Sequence, residues 1–139
     1  LGFPGETEAD AAAISAFIEE VDLDWIGTFT YSREEGTRSH DMEDQVAGVD
    51  ARDRAERIAS IADAAMERRA RSLTGETVDV LVERFDLEAN TWLGRSQREA
   101  PEVDGDISFP ADSHLSVGDY VTIPIEAADG ADLVGGHPA

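Results

Sequence analysis

A chain of 139 residues with 41% hydrophobic content has room for one or two small globular domains. Its net charge of −20 opposes a phosphate backbone, because nucleic-acid binding relies on cations that displace condensed counterions. The absence of cysteine excludes disulfides, thiolate nucleophiles and thiolate-held metals.

No apolar run approaches the roughly 18 residues that a membrane span requires. No basic n-region precedes an apolar stretch, so no signal peptide is visible and a cytoplasmic location is expected. The opening at Leu1 rather than Met leads to the expectation of a fragment. Residues 1–71 hold 17 acidic side chains and 8 arginines, a balance of −9. Residues 72–139 hold 14 and 3, a balance of −11. Such a surface suits a basic protein partner. The plainer alternative is an acidic surface kept for solubility or salt. All 11 cations are arginine, which reads as genome composition.

Leu1-Gly2-Phe3-Pro4-Gly5-Glu6-Thr7 reads as the turn between a buried strand and a helix. Residues 7–22 predict an amphipathic helix with Thr7 as N-cap and Asp10 in a capping-box position. Ile14, Phe17, Ile18 and Val21 form its apolar stripe. Residues 25–31, rich in aromatic and β-branched side chains, predict a strand. Turn, helix and strand in this order make one repeat of a parallel α/β architecture.

Residues 32–48 are polar and aperiodic, a loop. A second helix is expected from about Asp50 to Leu73, with Gly75 as its left-handed stop. Asp50–Arg54, Asp53–Arg57 and Glu67–Arg71 are i, i+4 pairs in the favourable order. Its apolar face is narrow: Ile58, Ile61, Ala62, Ala65 and Met66. A helix this polar links domains and packs on one side.

After Gly75 the period changes to two. Val78, Val80 and Val82 alternate along one strand, and Val121, Ile123 and Ile125 along another. Shorter candidates lie at 91–94, 106–109 and 131–134, separated by turn residues. About five short strands predict a small closed or nearly closed antiparallel barrel. Pro124 cannot donate to a ladder and belongs at an edge or bulge.

Three motifs carry a resemblance. Gly94-Arg95-Ser96-Gln97-Arg98-Glu99-Ala100-Pro101-Glu102-Val103-Asp104-Gly105 resembles a Gly-Arg-Ser…Asp-Ala-Pro-Glu-Ile-Asp-Gly segment of the TRAM domain. That domain closes the methylthiotransferase branch of the radical S-adenosylmethionine enzymes. Glu99 stands where Asp is usual, and Val103 where Ile is common. Gly2-Phe3-Pro4-Gly5-Glu6-Thr7 and Tyr31-Ser32-Arg33-Glu34-Glu35-Gly36-Thr37 are similar to two further segments of the same family, in family order. The resemblance covers nearly the whole chain.

The resemblance implies an α+β chain. Residues 1–48 would be the last part of a (β/α) radical-SAM barrel, 49–71 a connecting helix, and 72–139 an OB-like TRAM barrel. The family's complete enzymes use S-adenosylmethionine and two [4Fe–4S] clusters held by cysteines, including a Cys-x3-Cys-x2-Cys motif. This chain has none, so alone it is expected to be inactive, with no catalytic residue of its own. One branch modifies an adenosine of transfer RNA. The other, the RimO type, methylthiolates an aspartate of a small-subunit ribosomal protein of the decoding centre. The surface of residues 72–139 and the Ala100–Gly105 stretch favour the second, with the TRAM domain docking the protein substrate. Transfer RNA remains the alternative within the family, and a free-standing acidic binding module the alternative outside it.

Gly2, Phe3, Pro4 and Gly5 are candidates to pass near S-adenosylmethionine in the parent, since ligands of parallel α/β sheets sit beyond strand ends. The alternative is a turn that only starts a helix. Arg95, Arg98, Glu99, Glu102 and Asp104 are candidates to dock a basic partner; the alternative is a self-paired solvated loop. His40, His114 and His137 fall in different segments, so no shared metal site is expected. Asp41, Glu43 and Asp44 read as solvated loop. Trp25, Trp92 and Tyr120 read as core or barrel-wall residues rather than base-stacking platforms.

Overall fold

The structure, a computed structural model, describes residues 1–111 and 114–138. It forms two compact units, Leu1–Ala65 and Met66–Ala139, divided within the second helix.

In the first unit, helix α1 spans Glu8–Glu20. Thr7 caps it through the complete capping box with Asp10. Its stripe is narrower than the sequence pattern. Ala11 and Ile18 are buried, whereas Ile14 and Phe17 are 37% and 55% exposed. Helix α2 spans Gly48–Ser72. Ile58, Ala62 and Ala65 are buried against Ala11 and Ile18, with Leu1, Ile26 and Ile61 around them.

Two expectations for this unit need correction. Residues 25–31 form no regular strand. The Tyr31 N–H donates to the Leu1 carbonyl at 2.7 Å, and the Leu1 ammonium donates to the Phe29 carbonyl at 2.6 Å. This is the bonding of a parallel bridge. One flanking residue makes a bridge, not a ladder. Second, Arg54 and Arg57 do not take the acids one turn before them. Arg54 pairs with Glu6 at 3.0 Å and Glu8 at 3.3 Å, and Arg57 with Glu8 at 2.6 Å. Arg54 also donates to the Glu6 carbonyl at 3.1 Å, so it gains a backbone acceptor that an exposed i, i+4 pair does not offer. Glu67–Arg71 forms as expected.

In the second unit, five strands follow: β1 Thr77–Asp86, β2 Thr91–Arg95, β3 Ile107–Pro110, β4 Tyr120–Asp129 and β5 Asp132–Gly135. They close a barrel in the order β1-β2-β3-β5-β4. The alternating apolar residues point inward. Val80, Val82, Ile107, Phe109, Ile123, Ile125 and Leu133 are all at most 2% exposed, and Ala70 of α2 joins them. Gly75 adopts the left-handed conformation (φ 93°), three residues beyond Ser72. Its N–H donates to the Ile125 carbonyl at 2.8 Å. Pro124 ends the β1–β4 ladder, beside the register irregularity at Ile125/Ala127 where β4 turns to β5.

The barrel is mixed, not antiparallel. β3 and β5 run parallel, Ile107 opposite Leu133 and Ser108 opposite Val134. The reason is parity. Strand direction can alternate all the way around a ring only when the number of strands is even. Five strands force at least one parallel seam.

Candidate functional site

The loop of residues 96–106 joins β2 to β3, and its geometry follows from a few short-range bonds. The Glu99 Oε2 accepts from the Ser96 N–H and the Ser96 Oγ–H, each at 2.8 Å. Arg98 donates to the Glu99 Oε1 at 2.8 Å and to the Ala131 carbonyl at 2.9 Å. The two side chains are 6% and 1% exposed. This buried ion pair ties the loop to the turn before β5. Further on, the Ala100 N–H donates to the Asp104 Oδ2 at 2.8 Å, and Glu102 takes a left-handed φ of 62°. A tight turn therefore presents Glu102 and Val103 to solvent, Val103 being 82% exposed.

Above this loop lies a cleft of about 230 Å³ lined by Glu83, Arg84, Arg95, Glu102, Asp104 and Asp106. Arg95 pairs with Glu83 at 2.6 Å, and Arg84 with Asp106. Each arginine is thus matched by one carboxylate. Glu102 and Asp104 remain as uncompensated negative charge. The cleft can accept hydrogen bonds from a cationic side chain and repels phosphate.

Of the five residues expected to dock a partner, the structure brings Arg95, Glu102 and Asp104 to this cleft. Arg98 and Glu99 are withdrawn beneath it and hold the loop. Asp106, which the sequence groups with Glu99, Glu102 and Asp104, also lines the cleft, whereas Glu83 and Arg84 escaped the sequence reading. Their signal is the break in the β1 alternation after Val82, where the register shifts between Val82 and Arg84. Trp92 packs against the barrel core. Tyr120, expected in the core or wall, is 75% exposed on the outer wall.

At the opening turn, Gly2 and Gly5 have φ of 82° and 84°. A Cβ on Gly2 would stand 2.4 Å from the Ala51 Cβ, so glycine is required there twice over. The Gly2 N–H donates to the Glu6 carboxylate at 2.8 Å, and the Gly5 N–H to the Asp44 carbonyl at 2.9 Å. Pro4 is buried, and Phe3 packs edge-on against Tyr31 with ring centroids 5.3 Å apart. Two backbone donors of the turn are thus engaged within the unit. The open side is that of Gly5. Hydrogen bonds from Arg57 and Arg54 hold the Glu8 carboxyl below its usual range, and the Thr7 hydroxyl and N–H do the same for Asp10. Arg54 is raised by Glu6 and then Glu8. Among the described residues, no three His, Asp or Glu side chains converge as metal ligands.

The family model of the TRAM domain matches residues 74–137, all five strands and the cleft included. The chain carries a TRAM domain. Nearly its full length is also similar to proteins named ribosomal protein uS12 methylthiotransferase RimO. It is 40% identical over 138 residues to that of Streptomyces avermitilis, covering 96% of this chain and 27% of the relative. It is 38% identical over 135 residues to those of Desulfitobacterium hafniense and Microcystis aeruginosa, covering 96% and 97% of this chain and 30% of each relative. Over nearly its whole length the chain is similar to RimO methylthiotransferases, as its three motifs indicate, and it spans less than a third of the relatives' length. The opening motif and residues 31–37 lie outside the TRAM match.

Proposed function

We propose that this chain is the C-terminal part of a RimO-type enzyme that methylthiolates an aspartate of a small-subunit ribosomal protein. Residues 1–48 supply the end of the radical-SAM barrel, and the TRAM domain docks the protein substrate. The observation that carries this reading is the similarity to uS12 methylthiotransferases over 96% of the chain. The acidic cleft supports it, because a basic protein complements it and a phosphate backbone does not. With 3 arginines against 14 acids in residues 72–139, a transfer-RNA grip has few cations to use.

The parent would bind S-adenosylmethionine and two [4Fe–4S] clusters. This chain has no thiolate, so it does not fit a cluster and no chemical step is assigned to it. Towards S-adenosylmethionine it offers at most the outer side of Gly5, as one wall of a site. Its own work in the reaction is binding and orientation.

Two measurements test the reading. The gene upstream of Leu1 is expected to encode a Cys-x3-Cys-x2-Cys motif, and its absence would refute the enzyme parent. The chain is also titrated with ribosomal protein uS12 and with an anticodon stem-loop at two salt concentrations. Tight binding of the stem-loop with a steep salt slope, and none of uS12, would transfer the assignment to the RNA branch.

A further inference from the structure

On the outer wall of the barrel, Tyr120 of β4 stands opposite Leu81 of β1, and Leu81 stands opposite Arg95 of β2. The three residues form one row across three strands. Tyr120 is 75% exposed, Leu81 is half-buried, and Arg95 forms part of the acidic cleft. Strands lie about 4.8 Å apart, so the row spans about 10 Å from the tyrosine ring to the cleft. An apolar shelf thus runs directly into a pocket for cations.

We propose that Tyr120 and Leu81 are specificity-determining residues of the docking surface. They take an apolar side chain of an extended basic segment whose Arg or Lys enters the cleft at Glu102 and Asp104. This rests on the protein-docking reading above and adds the chemistry of the occupant. An extended chain advances about 3.3 Å per residue and alternates its side chains between two faces, so the apolar and cationic side chains that share the docked face stand two residues apart, and side-chain reach covers the rest of the row. Charge fixes the class of occupant. The cleft holds four carboxylates against two arginines, and both arginines are matched. An aromatic ring alone would also suit a nucleobase. A base stacked on Tyr120 would bring its phosphates against Glu102 and Asp104. The two parts of the surface act differently: the carboxylates attract at long range and are screened by salt, whereas the shelf contributes by burial and is not.

The test uses the whole chain with two twelve-residue peptides, each carrying three arginines on a Gly/Ser background, one with a phenylalanine two residues from the central arginine and one with serine there. The phenylalanine is expected to tighten binding about tenfold at both 50 and 300 mM salt. Tyr120→Ser is expected to abolish that gain and leave the salt dependence unchanged. Glu102→Gln with Asp104→Asn is expected to flatten the salt dependence and keep the gain. Both sets of side chains are exposed or at a loop, and circular dichroism checks that the variants stay folded. Equal affinity for the two peptides, or a gain that survives Tyr120→Ser, overturns the shelf. So does a uridine-rich oligoribonucleotide that outcompetes both peptides. The uS12 titration separates the two claims: uS12 binding without a phenylalanine gain sinks the shelf alone, and a Tyr120-dependent gain without uS12 binding sinks the docking reading alone.

Discussion

Glu99→Ala is the substitution with the largest consequence that the barrel geometry dictates. The Glu99 carboxylate accepts three hydrogen bonds at 2.8 Å, two from Ser96 and one from Arg98. Its side chain is 1% exposed and that of Arg98 is 6% exposed. Removing the acid strands the Ser96 N–H, itself buried, and leaves the Arg98 guanidinium in the interior without the carboxylate beside it. A buried donor without a partner costs about 1–3 kcal/mol. Breaking a buried ion pair from one side costs about 3–5 kcal/mol. The two figures overlap, since both count the same lost carboxylate, so the expected loss is about 4 kcal/mol. Glu99→Gln keeps an oxygen for Ser96 but turns an NH2 group towards Arg98, and about 2–3 kcal/mol is expected. Glu67→Gln is the control. The Glu67–Arg71 pair is 40% and 65% exposed, and an exposed pair contributes at most about 1 kcal/mol.

Urea denaturation of the whole chain in a Trp25→Phe background measures this, because fluorescence then reports Trp92 in the barrel. At a slope of about 1 kcal/mol per molar urea, the Glu99→Ala midpoint should fall by about 4 M, or the barrel should be unfolded without urea. Replacing both members, as Arg98→Met with Glu99→Leu, should be milder than Glu99→Ala alone, since neither member of the pair is left buried without the other. A Glu99→Ala barrel within 1 kcal/mol of the parent, or a double variant worse than the single one, would refute the assignment of the pair as the anchor of the loop.

Three further outcomes follow from the geometry. A Cβ on Gly94 would stand 2.4 Å from the Leu81 carbonyl oxygen and 2.6 Å from the Val80 Cγ1, so Gly94→Ala should destabilise the barrel by about 1–3 kcal/mol in the same urea assay. Glu8 and Asp10 have depressed carboxyl pKa values, so the stability they give is present above the unfolded carboxylate range near 4 and is lost as pH falls through their folded values. Carbon-detected NMR titration should place both below that range, and Thr7→Ala should return Asp10 towards it while weakening the α1 cap by about 1 kcal/mol. Amide exchange should be slower in the five strands than in residues 1–31, where residues 25–31 have no ladder and Phe17 is exposed; equal protection would contradict this.

What was legible in the sequence was legible because its physics is local. The alternation of Val80 with Val82 and of Ile123 with Ile125 needs only a two-residue period, and both strands form with these side chains inside. The Thr7–Asp10 box needs only one turn. The failures are all long-range. Asp50 lies one turn from Arg54, yet Arg54 bonds to Glu6 at a separation of 48 residues. Arg98 looks like a surface cation until the Ala131 carbonyl, 33 residues away, draws it inward. The parallel β3–β5 seam could have been inferred from the count of five strands, since an odd ring cannot alternate, but the local pattern alone does not supply it.

This division between local and long-range has a consequence for the Gly94–Gly105 motif that identifies the TRAM domain. Gly94 clears the Leu81 carbonyl, Ser96 and Glu99 fold the loop, and Arg98 ties it to the turn at Ala131. These residues are recognisable because folding constrains them. The surface they build is completed by Glu83, Arg84 and Asp106 outside the motif, with Leu81 and Tyr120 beside it. A TRAM barrel can therefore keep its motif and change its partner by altering residues that no motif names. For this chain the partner should be sought through exposed Tyr120 and the cleft carboxylates, not through the buried pair that makes the loop recognisable.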